Sequence, residues 1–146
     1  MDRGVAVILT ACAGGLVAMQ APINSKLGKS VGTFAAASIS FLIGTAILLA
    51  ITALRSSDVH LGGASGLAWY YFTGGLLGAA YVTTVLVSVR TLGAGGVTAA
   101  TIAGQLSTAV VLDRLGAFGL PEKSITVGRL LGVALLAAGV FMIVRE

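Results

Sequence analysis

The chain has 146 residues, 57% of them hydrophobic and only 10% charged, with a mean hydropathy of +1.03 and a net charge of +4. Soluble domains carry about 25% charged residues, so this composition excludes an aqueous domain of any size and places the protein's work in or across a bilayer. The nine Lys and Arg residues are spread one to three per loop, the flanking pattern of membrane helices rather than the clustered face of a nucleic-acid binder.

The charges divide the chain into charge-free intervals at Gly4 to Ser25, Ser30 to Leu54, Val59 to Val89, Thr91 to Leu112 and Leu130 to Val144. The first four reach the ~20 residues that cross a ~30 Å hydrocarbon core. The fifth is short unless Arg129 snorkels, in which case its helix begins near Ser124. The sequence therefore predicts an all-α integral membrane protein, a single transmembrane domain with spans at about 4–25, 32–54, 67–89, 95–112 and 124–144.

Span 1 contains Pro22, which is expected to interrupt the helix and free carbonyls near Ala18. Such an interruption is tolerated only where protein or a water-filled cavity covers it. Cys12 has no second cysteine to pair with. The Leu9-Thr10-Ala11-Cys12 run is like a lipoprotein cleavage site, but the apolar stretch before it is shorter than a signal core and continues past it. Span 2 carries Ser38, Ser40, Gly44 and Thr45, small polar residues that suit close helix packing. The polar turn from Arg55 to Gly63 leads to Trp69, Tyr70 and Tyr71, placed as interfacial anchors. Span 3 holds a Gly-x-x-x-Gly pair at Gly74 and Gly78, and span 5 another at Gly128 and Gly132; glycines at this spacing let helices touch. Leu92 to Gly96 reads as a turn, since no strand precedes it and no Gly-Lys-Ser/Thr follows as a phosphate loop would need.

With five spans, Arg3, Arg55, Arg114, Lys123 and Arg129 fall on one face of the membrane and Lys26, Lys29, Arg90 and Arg145 on the other. Orientation follows an excess of Lys and Arg in short loops, and five against four is almost none. The balance predicts insertion both ways up and pairing with an inverted copy, the geometry of inverted-repeat transporters. The competing reading is a single orientation tipped by one residue.

Ionisable residues deep in a span are the usual functional candidates, and every Asp and Glu here falls in a loop or at a span end. Asp113 is the nearest, at the mouth of span 4 beside Arg114, where it either meets solute or forms an interfacial ion pair. Uncharged polar groups remain at depth, and each needs a hydrogen-bond partner. They are Gln105 in span 4, Gln20 and Asn24 four residues apart in span 1, and Tyr81 in span 3. They either bind helices together or line a polar cavity. Both readings stand for Gln105, while Pro22 favours the cavity for Gln20 and Asn24. The single histidine, His60, has no acidic or thiol partner at ligand spacing, and no nucleophile–base constellation marks an enzyme. No cofactor or metal is expected.

Gln20-Ala21-Pro22-Ile23-Asn24-Ser25-Lys26-Leu27-Gly28, Gly74-Gly75-Leu76-Leu77-Gly78-Ala79-Ala80-Tyr81-Val82, Ala103-Gly104-Gln105-Leu106 with Asp113-Arg114-Leu115-Gly116, and Arg129-Leu130-Leu131-Gly132 through Ala138-Gly139-Val140 together resemble the YdcZ family of the drug/metabolite transporter superfamily. The resemblance covers the whole chain. It implies a five-helix half-transporter completed as an antiparallel homodimer, equivalent to the fused ten-helix members, in the bacterial inner membrane. It carries no substrate with it. Cys12, Ala13 and Gly14 stand where small multidrug-resistance proteins have their first-helix glutamate, so proton-coupled cation export does not transfer.

The function expected is secondary transport of a small polar or amphiphilic solute by alternating access, with Gln20, Asn24, Tyr81, Gln105 and Asp113 as substrate contacts. Gly74, Gly78, Gly128 and Gly132 would serve helix packing. The partners expected are an inverted copy of the chain, membrane lipid and the solute. The alternative is a non-transporting membrane subunit that needs a different partner half. A passive pore is weaker, because no ring of charge or carbonyl filter is visible.

Overall fold

A computed structural model describes residues 2–55 and 61–145. The expectation for His60 falls outside the described residues. All regular structure among the described residues is helical: α1 (Arg3–Val31), α2 (Thr33–Leu54), α3 (Gly74–Leu115) and α4 (Val127–Val144), with short 3-10 turns at Leu61–Gly66, Trp69–Thr73 and Ala117–Gly119. Four helical segments, Arg3–Val31, Thr33–Leu54, Trp69–Leu115 and Val127–Val144, are long and apolar enough to cross a membrane. Their flanks expose Leu, Ile, Val and Phe side chains along most of their length, as lipid-facing helices do. The chain forms two compact units, Met1–Arg90 and Thr91–Glu146.

In the first unit, Asp2 caps α1 by accepting a hydrogen bond from the Gly4 amide at 3.0 Å. The helix then runs unbroken through Pro22 to Val31, so the expected interruption does not occur. Proline deprives the Ala18 carbonyl of its backbone donor, yet Ala21 and Asn24, one on each side of it, are buried, and that packing holds the helix continuous. Gly32 ends α1 and starts α2. At φ 93° it occupies a backbone region that favours glycine, its amide donates to the Gly28 carbonyl, and its own carbonyl accepts from the Ala36 amide, each at 3.0 Å.

Because one residue joins the two helices, α2 returns along α1 in antiparallel register. Asn24 meets Ser40, and a side chain at Gly28 would touch the Ala36 methyl. The residues at this seam recur every fourth position: Gln20, Asn24, Gly28, Gly32, Ala36, Ser40 and Gly44. An i±4 row of this kind is one of the ridges by which helices interdigitate, and small residues along it allow close approach without a hydrophobic force. The first part of α3 lies against this pair. Leu86 is 1% exposed and packs with Ala36 and Ala37, flanked by Leu27 and Val82.

The helical run of α3 is broken at Gly93 (φ 67°, ψ 173°), a conformation open essentially to glycine alone. The turn expected over Leu92 to Gly96 thus narrows to a single residue. In the second unit, residues 94–115 pair with α4 in antiparallel fashion. A side chain at Gly96 would meet Val144, while Asp113 lies beside Arg129 near the other end. Gly116 (φ 58°) terminates the helix, Leu120 opens an extended stretch, and the Thr126 hydroxyl caps α4 by accepting from the Arg129 amide at 3.3 Å. The helix therefore starts at Val127 rather than near Ser124, and the Arg129 guanidinium lies against Asp113.

Candidate functional site

Gln20 and Asn24 stand one helical turn apart on α1, and Tyr81 faces them from α3. The three border one cleft of about 10 Å³, walled by Val17, Val82 and Val85 and roomy enough for about one water. On the other side of Gln20 lies a larger cleft of about 260 Å³, lined by Gln20, Ser40, Phe41, Gly44, Thr45 and Leu48. Gln20 is the one residue that borders both. The Gly44 position opens the larger cleft because no neighbour comes within 4 Å of where its side chain would be.

The polar groups here have unequal freedom. Asn24 is 6% exposed, and its Nδ2 donates to Ser40 Oγ at 3.1 Å, so its amide binds α1 to α2. Gln20 is exposed, and neither its amide nor the Tyr81 hydroxyl has a hydrogen-bond partner among the described residues. An unbonded amide in an apolar wall costs several kcal/mol in hydrocarbon, so it needs water, a solute or a neighbouring helix as its partner. The donor set consists of amides and hydroxyls, and no carboxylate, lysine or arginine lines either cleft. Such a donor set can offer hydrogen bonds and apolar contact to an uncharged polar or amphiphilic molecule. Its volume, near the lower end of ligand pockets, suits a small one.

Gln105 and Asp113 belong to the second unit, and the lining of both clefts comes wholly from the first. Gln105 is exposed. Asp113 sits in an ion cluster: Arg129 Nη2 donates to its Oδ2 at 3.0 Å, Lys123 Nζ lies 3.7 Å from the same oxygen, and its backbone carbonyl accepts from the Lys123 amide at 2.9 Å. Arg114, its neighbour in sequence, instead faces Glu122 at 3.8 Å. Arg129 Nη1 is buried without a hydrogen-bond partner. Of the glycines in the two Gly-x-x-x-Gly pairs, Gly78 packs within the chain, where a side chain would come 3.5 Å from the Phe41 ring. A side chain at Gly74 or Gly132 would meet nothing within 4 Å, and one at Gly128 only the capping Thr126. Three of the four thus lie on open helix faces.

Sequence reasoning missed the tightest helix contact. A side chain at Gly28 would come 2.9 Å from Leu86 and 3.0 Å from Arg90. The four-residue row through Gly28, Gly32 and Ala36 was the available signal. Arg90, read only as an orienting charge, donates from Nε to Ser25 Oγ at 3.4 Å and from Nη2 to Thr33 Oγ1 at 3.2 Å.

Residues 5–142 match the family described as "Putative inner membrane exporter, YdcZ". No curated protein and no solved structure matches the chain. The match spans nearly the whole sequence and agrees with the apolar, strand-free architecture of the described residues: this chain is a multi-pass inner-membrane protein belonging to the YdcZ exporter family.

Proposed function

We propose that the chain is one half of a secondary transporter for a small polar or amphiphilic solute, working by alternating access as an antiparallel homodimer of two oppositely inserted copies. The observation that carries this reading is the pair of clefts about Gln20, where unbonded amide and hydroxyl groups face space beside apolar walls. Gln20 and Tyr81 are the direct solute contacts in this reading, and Asn24 fixes the helix that carries Gln20. Asp113 stays with Arg129 at the rim. A transporter rather than an enzyme is also what the exporter family indicates.

The break at Gly93 supports five spans in one transmembrane domain. The 42 residues of α3 would extend about 63 Å as one rod, roughly twice the hydrocarbon thickness. The open faces at Gly74, Gly128 and Gly132 suit a second copy, since small residues are the usual contact between membrane helices.

Liposome reconstitution tests the reading. The purified chain alone should move solute, and Gln20→Leu should abolish movement while the dimer still assembles. A chain that moves solute only with a different partner half supports the subunit alternative. C-terminal reporters active on both sides of the membrane are expected from dual insertion, and activity on one side alone overturns it.

A further inference from the structure

The α1–α2 turn gathers cations without acids. Arg90, Lys26 and Lys29 make no ion pair among the described residues, and the described carboxylate of this unit, Asp2, caps the opposite end of α1, about 40 Å away along the helix. The cations of the loop in the second unit differ, because Lys123, Arg114 and Arg129 each face a carboxylate. Arg90 is nonetheless held in place. Its Nε and Nη2 donate to Ser25 and Thr33 hydroxyls, Ser25 is buried, and the missing side chain of Gly28 leaves the space in which the guanidinium lies. A guanidinium has five N–H donors, so three remain directed to other acceptors. Lys29 lies one turn from Ser25 on the same face of α1, and Lys26 lies one turn before it.

We propose that Arg90, flanked by Lys29 and Lys26, forms a binding site for a phosphate group, of the kind carried by an anionic phospholipid headgroup, at the α1–α2 turn. The guanidinium fork suits two phosphate oxygens at once, and the lysines add charge at the depth where headgroups lie. Two hydroxyls fix the fork before binding, which lowers the ordering cost of capture. Basic pockets between membrane helices bind anionic headgroups by this chemistry.

Native mass spectrometry of the purified protein, equilibrated with equal amounts of phosphatidylglycerol and phosphatidylcholine, tests the proposal. Wild type should retain phosphatidylglycerol over phosphatidylcholine by at least about fivefold, the value of roughly one cation at the surface. Arg90→Gln should bring the ratio to parity, and Arg90→Lys, which keeps charge but loses the fork, should fall between. Lys29→Gln leaves the Arg90 bonds intact and should lower the ratio in a protein of unchanged melting temperature, so a folding defect in Arg90→Gln does not decide the matter. Lys123→Gln should change nothing. Inorganic phosphate that displaces the lipid assigns the site to a soluble phosphate; phosphate without effect assigns it to the lipid. Equal retention of both lipids with no response to phosphate, or an Arg90→Gln ratio equal to wild type, overturns the proposal.

Discussion

In the first unit α1 and α2 meet along glycine, alanine, serine and a single amide hydrogen bond, with one residue between them. In the second, the end of α3 and the start of α4 are separated by residues 116–126, which begin with the short turn Ala117–Gly119, and are tied by Asp113, Arg129 and Lys123. The difference lies in where the fastening sits. A seam of small residues works along the length of the helices, where lipid offers no hydrophobic drive and backbone proximity has to supply the attraction. An ion cluster works at the rim, where water and headgroups keep the cost of charge low and Coulomb attraction moderate.

Several substitutions separate the two fastenings. Gly28→Ile should have the largest effect: a side chain there collides with Leu86 and Arg90, so thermal unfolding in detergent should show a loss of about 3 kcal/mol, the upper range for overpacking. If α3 simply shifts aside, the loss will be small and the seam is less tightly set than the contacts indicate. Asp113→Asn comes next. It leaves Arg129, only 28% exposed along its side chain, without its carboxylate, and should lower stability by about 2 kcal/mol, between the values for exposed and buried pairs. Arg129→Leu together with Asp113→Leu should recover part of that loss, because the isolated charge disappears.

Asn24→Ala should lose about 1 kcal/mol, as interhelical hydrogen bonds in membranes do. A double-mutant cycle with Ser40→Ala should show that the two losses do not add, since they remove one bond. The smallest effect is expected for Arg114→Gln. Its pair with Glu122 is long, at 3.8 Å, and mostly exposed, so stability should change by less than about 0.5 kcal/mol and high salt should mask even that.

The helical, membrane-spanning character of the chain was legible in the sequence, because the spacing of charges and the bilayer thickness leave few alternatives. The local course of the backbone was less so. Pro22 was expected to break α1, yet the helix continues, since buried neighbours on both sides outweigh one lost hydrogen bond. Gly93 was placed within its turn, but sequence could not say that one residue would suffice. At the candidate site, the four-residue spacing of Gln20 and Asn24 was visible along the chain, whereas their meeting with Tyr81 depends on how α3 lies on the hairpin. The sequence also could not tell that Asp113 would choose Arg129 over its neighbour Arg114, because that choice is made by the path of residues 116–126. Arg90 was hidden for a similar reason: its hydroxyl partners lie 57 and 65 positions away.

The row that pivots on Gly32 makes this part of the chain intolerant of changes in length. Positions 20 and 44, 24 and 40, and 28 and 36 are equidistant from that glycine, so each helix counts residues against the other. One residue inserted between Gly32 and Ala36 would rotate the rest of α2 by about 100°, turning Ser40 and Gly44 off the seam and bringing Ile39 and Ile43 onto it. Substitution can be absorbed one contact at a time. An insertion or deletion would misplace all of them together, and Gln20 would lose the opposite wall of its larger cleft in the same step.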